Sequence, residues 1–234
     1  MENSKKDKNM LTVRLDCIIG YVNSNVVADI GTDHAYVATE LIKTNRAKRV
    51  IATDVNQGPL NAAIENIKKN NMENVIETRL GSGLSVLKKG EADTIIIAGM
   101  GGELICEIIK KDMKIAKEAV LVLQPMNAQY EVRKFLLTNG FKIIKEDIEC
   151  EGERVYNIII AEAGEEKEFW DDFQYHVPSY LTNNRNFKAL YDKKKREFNK
   201  IVRGLEKSEK CDFEKLEKYR GYKNKLEKMR NECK

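Results

Sequence analysis

Cysteine and histidine are scarce in this sequence, and their spacing does not suggest a metal site. The 234 residues include five cysteines and two histidines. The cysteines are widely separated and never form a C-x-x-C pair, which fits neither a disulfide framework nor a structural zinc site. We therefore predict free thiols and no bound metal. His34 and His176 are too few for a histidine-rich metal centre.

Long apolar runs are also lacking. No stretch approaches the roughly 20 apolar residues of a membrane span. The charged start MENSKKDKN is not followed by an apolar segment of the kind that directs export. We expect a cytoplasmic protein without a membrane partner. The chain is longer than a usual single domain and too short for two large ones, so we predict one full domain with a smaller appendage.

The charge is unevenly distributed. The net charge is +4, yet residues 1–165 carry 22 Lys+Arg and 24 Asp+Glu, whereas residues 166–234 carry 19 and 13. The tail therefore has a charge of +6 and the rest of the chain −2. This asymmetry suggests a polyanionic partner, with a solvated helix face of mixed charge as the open alternative.

Short β-branched runs alternate with helical patterns from residue 26 to residue 161, which is typical of a parallel sheet covered on both faces. The predicted strands are 26–30, 49–53, 75–80, 94–98, 119–123, 141–149 and 154–161. Only a few residues separate the last two, so they should form an antiparallel hairpin. We predict the α/β fold of a class I, Rossmann-like methyltransferase, with a seven-stranded, mostly parallel sheet. A short amphipathic helix should precede it, marked by Leu11, Leu15, Ile18 and Ile19.

After Gly164 the sequence changes to an acidic and aromatic connector, which Pro178 interrupts. Two sets of apolar residues then recur at helical spacing on either side of the polar segment EKSEKCD. They are Phe187, Tyr191, Phe198, Ile201 and Leu205, with Lys194 in the remaining position, and Leu216, Tyr219, Leu226 and Met229. We predict an antiparallel, coiled-coil-like helical hairpin. The predicted domains are 1–164, which is Rossmann-like and catalytic, and 165–234, which contains the connector and an RNA-binding helical part.

The segment after the first strand lies where doubly wound sheets bind ligands. Gly31 would let the backbone turn beside a ligand, and Asp29 could accept a hydrogen bond from a cationic amino group or from nearby backbone. Asp33 and Ala35 stand where a dinucleotide-binding loop has glycine, and an acid there would repel a pyrophosphate. The loop therefore argues against NAD and favours a cofactor with cationic groups, such as S-adenosylmethionine. The open alternative is that Asp33 only caps the next helix.

The next two strands also end in candidate ligand groups. Asp54 could take both hydroxyls of an adenosine ribose. Gly81, Ser82 and Gly83 would allow backbone to approach an adenine ring, although a plain turn explains them almost as well.

Three motifs, in this order, resemble the bacterial TrmK family, whose members methylate N1 of adenine 22 in tRNA. They are Ala28-Asp29-Ile30-Gly31-Thr32-Asp33-His34-Ala35-Tyr36, Ala98-Gly99-Met100-Gly101-Gly102 and Leu123-Gln124-Pro125-Met126. The resemblance covers the whole chain and implies S-adenosylmethionine as cofactor and tRNA as substrate. Ser82 departs from the expected Gly-Asp-Gly and would be a weaker partner for the adenine amino group. The predicted cofactor contacts are Asp29, Gly31, Asp33, His34, Asp54, Val55, Gly81, Ser82, Gly83, Ala98 and Gly99.

The activity that the resemblance implies needs little acid-base chemistry. N1 of adenine has an in-plane lone pair, so positioning should dominate catalysis. The side-chain-poor segment 99–102 would let the base approach the sulfonium, and Asp33 would stabilise the cationic product or accept a proton. The predicted catalytic residues are Asp33, Gly99, Met100, Gly101 and Gly102. A tight turn that begins a helix is the open alternative for residues 99–102.

Residues 124–127 should face the same cleft. Gln124 or Asn127 could hydrogen-bond a base, whereas Met126 could pack on the base or belong to the core. N1 lies on the Watson–Crick edge, so the target adenine must be unpaired or flipped, and the basic tail should hold the RNA. The predicted substrate contacts are Gln124, Pro125, Met126, Asn127, Lys193, Lys194, Lys195, Arg196 and Arg203, with Lys207 as a further phosphate contact.

We expect a monomer. Three alternatives stay open: a non-catalytic tRNA-binding module that retains the cofactor fold, a methyltransferase acting on a different RNA, and an NAD-dependent oxidoreductase. The loop chemistry disfavours the last.

Overall fold

The computed structural model describes residues 11–232, with the side chain of residue 232 left out. The charged start MENSKKDKN and Cys233 lie outside these residues. The strands are β1 (Ser24–Ile30), β2 (Ala47–Asp54), β3 (Ile76–Leu80), β4 (Thr94–Met100), β5 (Val120–Pro125), β6 (Phe141–Glu151) and β7 (Arg154–Ala163). The helices are α1 (Val13–Gly20), α2 (Tyr36–Lys43), α3 (Gln57–Lys69), α4 (Gly102–Lys111), α5 (Met113–Ala116), α6 (Gln129–Thr138), α7 (Asp172–His176), α8 (Phe187–Glu206) and α9 (Phe213–Glu232), with 3₁₀ turns at Gly83–Val86 and Ser179–Asn183.

The seven strands form one sheet in the order β3-β2-β1-β4-β5-β7-β6. The first five are parallel, and β7 pairs antiparallel with both β5 and β6. Parallel strands covered on both faces read as continuous apolar runs, and Ile95, Ile96 and Ile97 of β4 are all fully buried. The predicted fold class is confirmed, because every predicted strand is present and the terminal hairpin is antiparallel.

Helices cover both faces of the sheet. One core cluster joins α1, α2 and α3 to one face, and a second joins α4 and α6 to the other. The predicted leading helix is confirmed as α1, whose Ile18 and Ile19 are buried. Among residues 11–232, no helix is long and apolar enough to cross a bilayer.

Strand β4 is longer than predicted. The sequence placed its end at Ala98, but pairing with β5 continues to Met100 after a register shift that leaves Gly99 unpaired. Gly99 therefore sits in a bulge rather than in a loop after the strand. The extra residue of a β-bulge does not take part in the hydrogen bonding between the strands, and bulges are common next to functional sites.

The two long C-terminal helices pack antiparallel, as predicted. Tyr191 donates to Glu227, and Arg220 donates to Glu206, so the start of α8 lies beside the end of α9. Lys194 is buried, and its ammonium group donates to Glu197 on the same helix. Coiled-coil packing in the strict sense stays a prediction.

The helical pair is attached to the end of the β6–β7 hairpin. Its core cluster includes Ile148 and Val155 of the hairpin, and Lys193 donates to the Val155 carbonyl at 3.3 Å. Apolar packing therefore crosses residue 164, and a division into two domains there stays a prediction. Because β7 runs antiparallel to β5, the hairpin end lies at the edge where the parallel strands finish.

A buried ion pair fastens the connector to the sheet. Arg133 on α6 and Glu146 on β6 are both buried, with Nη2 and Oε1 2.5 Å apart. Arg133 Nη1 also donates to the Tyr175 carbonyl, and the Tyr180 hydroxyl donates to Glu146. These hydrogen bonds satisfy two buried charges that would be costly if either lost its partner.

Candidate active site

A cleft of about 280 Å³ opens at the carboxyl ends of β1, β2 and β3. This is the edge at which open parallel sheets bind ligands. It is lined by Ile30, Gly31, Thr53, Asp54, Val55, Asn56, Gly81, Ser82, Gly83, Met100, Leu104 and Ile108.

A second cavity of about 200 Å³ adjoins it on the side of α1. It is lined by Arg14, Leu15, Asp29, Gly31, Thr32, Asp33, Tyr36, Val37, Ala98 and Gly99. Gly31 lines both cavities, so the pair can accept one elongated ligand that passes over the turn after β1.

The backbone at Gly31 favours glycine. Its φ of 76° lies in the left-handed region, and a Cβ built there would be 2.1 Å from the terminal methyl group of Met100. The Met100 side chain therefore lies directly over this turn. A ligand crossing between the cavities would touch both residues.

Asp29 is a buried carboxylate at the end of β1. It is 6% exposed and accepts a hydrogen bond from the Thr32 hydroxyl at 2.7 Å. The pKa of Asp29 is raised to about 6, because burial and the nearby Asp54 carboxylate outweigh the lowering effect of the Thr32 hydrogen bond. A cationic ligand in this cavity would favour the charged form of Asp29.

The groups at the end of β2 suit a ribose-like ligand. Asp54 Oδ1 accepts from the Asn56 backbone N–H at 2.7 Å. The Thr53 hydroxyl oxygen is buried, and it has no hydrogen-bond partner among residues 11–232. Since buried polar atoms in native proteins are nearly always paired, this orphaned hydroxyl beside the cleft fits a polar ligand.

The segment after the turn is exposed. The Asp33 side chain is 81% exposed and its carboxylate lies 3.4 Å from His34 Nε2, while the His34 ring stacks on Tyr36 at 5.4 Å. The N-cap of α2 is Ala35 without a side-chain cap bond, so Asp33 does not cap this helix. His34 and Ala35 both have left-handed φ values, of 53° and 52°. Backbone in this region costs energy for residues with a Cβ and is often found at functional sites.

The side-chain oxygens of Gln124 and Asn127, which we predicted could hydrogen-bond a base, accept hydrogen bonds from the protein itself. Gln124 Oε1 accepts from the Gly99 N–H at 3.1 Å and from Arg14 Nη1 at 2.6 Å. Asn127 Oδ1 accepts from the Gly102 N–H at 3.2 Å. Gln124 is fully buried and its Nε2 donates to Met126 Sδ, so the two amides hold the loop after β4 in place.

The other predicted residues of this edge have distinct environments. Pro125 is buried, and Met126 is 43% exposed, so Met126 is not a core residue. Ser82 is exposed and its carbonyl accepts from the Ser85 hydroxyl. Val55 is 62% exposed at the rim of the larger cavity.

Gly102 begins α4 where the chain crosses the next loop. A Cβ there would lie 2.6 Å from the Ala128 carbonyl oxygen and 2.7 Å from that of Asn127. These are backbone atoms that cannot rotate away. The turn that begins a helix, offered as an alternative for residues 99–102, is present. Gly99 lines the smaller cavity and Met100 the larger one, whereas Gly101 and Gly102 line neither.

Arg14 was missed by the sequence analysis. It lines the smaller cavity from α1, and its guanidinium lies 5.6 Å from the centre of the Tyr156 ring. No motif contains it, and its partner Gln124 is 110 residues away. Only the fold brings them together.

The Lys and Arg side chains of the tail fall into two groups, those that are buried or paired within the protein and those that are exposed. Lys193 and Lys194 face the protein: burial lowers the pKa of Lys193, and Lys194 is 6% exposed and paired with Glu197. Lys195 pairs with Glu227. These three were predicted to contact phosphate, but their ammonium groups are already occupied or buried, so we do not assign them to RNA.

Arg196 and Arg203, in contrast, are exposed and have no partner in the described part of the chain. Lys200 and Lys207 share these properties. The four lie at positions i, i+4, i+7 and i+11 of α8, which places them on one helix face over about 16 Å. We call Arg196, Lys200, Arg203 and Lys207 the basic stripe.

The four cysteines within residues 11–232 are free, as predicted. Cys17 lies near Asp147 and Glu149. Both carboxylates already have partners, because Tyr21 donates to Asp147 and Arg185 pairs with Glu149.

The proteins that this chain resembles are methyltransferases, which fits the position of this site. A family model described as a methyltransferase domain matches residues 11–159. The tRNA (adenine(22)-N(1))-methyltransferase of Bacillus subtilis (strain 168) is 38% identical over 164 residues, which are 69% of this chain and 68% of that protein. This chain belongs to the TrmK family. The crystal structure of B. subtilis TrmK, an m1A22 tRNA methyltransferase, superposes with a TM-score of 0.84 at 29% identity, covering 94% of this chain and 98% of that one. TrmK of M. capricolum, in complex with the cofactor product S-adenosyl-homocysteine, gives 0.82 at 26% identity over 96% and 100%.

Proposed function

We propose that this chain transfers the methyl group of S-adenosylmethionine to N1 of adenine 22 in tRNA. The observation that carries the proposal is membership of the TrmK family together with the paired cavities around Gly31. S-adenosylmethionine supplies an activated methyl group on a sulfonium and is elongated, with a nucleoside at one end and an amino acid at the other. That length and polarity match the two cavities.

The larger cavity takes the nucleoside end. Asp54 accepts hydrogen bonds from the ribose hydroxyls, with its Oδ1 held by the Asn56 N–H. The Thr53 hydroxyl gains the partner that it lacks. Val55, Leu104 and Ile108 provide apolar surface for the adenine ring.

The target adenine enters beside the bulge at Gly99. Its N1 lone pair attacks the methyl carbon as the carbon–sulfur bond breaks, leaving a neutral thioether and a cationic base. No general base is needed for that step. Holding the reacting atoms in line accounts for the acceleration, and the amides of Gln124 and Asn127 fix the loop that sets this alignment. The exposed Asp33 carboxylate stabilises the developing charge on the base.

The basic stripe binds the tRNA backbone. Its four side chains are exposed and unpaired in the described part of the chain, whereas the other cations of α8 that we predicted to bind RNA are engaged within the protein. Contacts from Lys and Arg to phosphates release counterions, so this binding should weaken steeply with salt.

Methyl transfer from labelled S-adenosylmethionine to a tRNA transcript tests the function. We expect incorporation into a transcript with A22 and none when A22 is replaced by G, with 1-methyladenosine as the modified nucleoside. Binding of tRNA without incorporation, or incorporation that is unaffected by the replacement, would refute the proposal.

Replacing all four stripe residues by Ala tests the RNA surface. We expect the KM for tRNA to rise about tenfold or more and the salt slope of binding to fall by up to about three, with the Kd for S-adenosyl-homocysteine unchanged. The matched control replaces Lys218 and Arg220, whose charges are already paired with acids. An equal effect in the control would show that only net charge matters.

A further inference from the structure

We propose that Tyr130 and Asp172 are positioning residues, which hold the helical pair of α8 and α9 in register with the loop after β4 that receives the target base. The inference rests on the proposed function, because it requires tRNA on the basic stripe and methyl transfer beside the bulge in β4. Neither residue belongs to the sequence motifs of the site.

Asp172 accepts hydrogen bonds from two tyrosines of different elements. Its Oδ1 accepts from the Tyr130 hydroxyl of α6, and its Oδ2 accepts from the Tyr222 hydroxyl of α9. Lys218 Nζ also lies 2.8 Å from Oδ2, but that side chain is 48% exposed, and exposed ion pairs contribute little. One carboxylate at the start of α7 therefore joins the helical pair to the first turn of α6.

The chain that leads into α6 is packed closely against the loop after β4. The Ala128 carbonyl oxygen is only 2.6 Å from the place where a Cβ on Gly102 would lie. Asn127 Oδ1 accepts from the Gly102 N–H at 3.2 Å, and the Met126 N–H donates to the Met100 carbonyl at 2.8 Å. Because these contacts leave no free space, a shift of the first turn of α6 displaces the end of β4 and the loop after it.

The other end of the link is buried inside the helical pair. Tyr222 is 6% exposed, and its ring centre lies 5.8 Å from that of Phe198 on α8. Arg196 and Lys200 of the basic stripe are the second residues before and after Phe198 in the same helix. Movement of the stripe therefore moves Tyr222 and, through Asp172, the first turn of α6.

The link also restricts the angle of α8. Lys193 attaches α8 to the β6–β7 hairpin through the Val155 carbonyl, above an apolar cluster. Apolar packing is non-directional, so that attachment alone permits small tilts. A second, hydrogen-bonded attachment to α6 removes this freedom and sets where RNA on the stripe lies relative to the loop after β4.

Tyr130→Phe tests the inference, because it removes the hydroxyl and keeps the ring. We expect the single-turnover rate constant at saturating tRNA to fall about fivefold, the effect of one hydrogen bond. The Kd values for tRNA and for S-adenosyl-homocysteine should not change, since both binding surfaces remain. Tyr222→Phe should act in the same direction. Adding it to Tyr130→Phe should lower the rate constant less than about twofold further, because the link is already broken.

Tyr191→Phe is the matched control, since the Tyr191 hydroxyl donates to Glu227 within the helical pair. It should leave the rate constant unchanged. Thermal unfolding of each variant verifies that it is folded, and if one of the two link variants fails to fold, the other decides. An unchanged rate constant in the folded link variant would overturn the inference, as would a loss of tRNA affinity in place of the loss of rate.

The variant with all four stripe residues replaced by Ala separates positioning from local stability. RNA is then no longer held through α8, so adding Tyr130→Phe should lower the rate constant by less than about twofold. A fivefold fall in this background too would overturn the inference, because Tyr130 would then only stabilise α6 and the neighbouring loop. Failure of the proposed function looks different: the unaltered protein would transfer no methyl group to tRNA, and the inference would fall with it.

Discussion

The two halves of the active-site edge differ in whether their polar side-chain atoms are free or already hydrogen-bonded within the protein. At the ends of β1 and β2, Asp29, Thr53 and Asp54 keep polar atoms free for a ligand, and the Thr53 hydroxyl has no other partner in the described residues. At the ends of β4 and β5, Gln124 and Asn127 use their acceptor oxygens on the protein's own backbone. We therefore propose that one half recognises its ligand through side-chain chemistry and that the other acts through the shape of a loop.

The largest effect should come from altering that shape at Gly102. We expect Gly102→Ala to lower kcat by about 100-fold or more, because its Cβ would collide with the carbonyl oxygens of Asn127 and Ala128 and displace the loop. Gly101→Ala is the control, since its Cβ would meet only the Asn127 side-chain oxygen, at 3.3 Å. Steady-state kinetics and thermal unfolding of both variants measure the difference. Similar kinetics for the two would remove the argument that loop shape matters.

Asp54→Ala should have the next largest effect, on cofactor affinity. A charged hydrogen bond contributes about 1.5–3 kcal/mol, so the Kd for S-adenosyl-homocysteine should rise about tenfold to 100-fold. Affinity for tRNA should not change. Asp54→Asn retains an acceptor for the Asn56 N–H and should separate the lost ligand contact from local disorder. Calorimetric Kd values within twofold of the unaltered protein would contradict the assignment.

Asp29→Asn should stabilise the fold while weakening cofactor binding. The folded-state pKa of Asp29 is about 6, above the ordinary 3.8, so its charged form is disfavoured by burial. The carboxyl group therefore lowers the free energy of unfolding increasingly as pH rises from about 4 to about 6, and by its full amount above that. The rise in pKa corresponds to roughly 3 kcal/mol as an upper bound.

The stability gain of Asp29→Asn should appear at neutral pH and disappear near pH 4. Denaturant unfolding at the two pH values measures it, with Asp93→Asn as a carboxylate control away from both cavities. If the variant were less stable at neutral pH, the Thr32 hydrogen bond would outweigh burial.

The smallest effect concerns His176, far from the ligand. Burial lowers its pKa to about 4, with Lys194, Arg133 and Lys218 acting in the same direction and Asp172 opposing them. The folded state keeps His176 neutral, so stability is complete above about pH 6.5 and is lost as pH falls towards 4. His176→Phe, surrounded by the rings of Phe198 and Tyr222, should reduce the fall in Tm over this range without changing methyl transfer. The same pH profile in the variant would assign the loss to other groups.

Much of the fold could be predicted because its signals are local. Apolar runs and the short turn between the last two strands located all seven strands to within about two residues, and helical spacing predicted both long C-terminal helices. The run of four consecutive cations, residues 193–196, was interpreted as one RNA surface without regard to helical spacing. A helix turns 100° per residue, so only Arg196 of that run faces outward.

The parts of the site that could not be predicted depend on distant pairs. The sequence marked Gln124 and Asn127 as polar groups at a strand end, but it held no sign that Gly99 and Gly102 would occupy their oxygens. Arg14 had no local signal at all, because its role depends on a residue in β5. Thr53 looked like an ordinary strand residue, and only its lack of a partner distinguishes it.

Because α8 is attached to the β6–β7 hairpin near its start, a small tilt there is amplified along the helix. The contact between Lys193 and the Val155 carbonyl marks the attachment, and Lys207 lies fourteen residues farther along, or about 21 Å. A tilt of about 10° at that contact would move Lys207 by roughly 4 Å, which is similar to the roughly 3.4 Å axial spacing of phosphates along one strand of a duplex. If the basic stripe binds tRNA as proposed, we expect substitutions at Ile148 or Phe187, in the core cluster beneath that contact, to alter tRNA binding although neither residue belongs to the stripe.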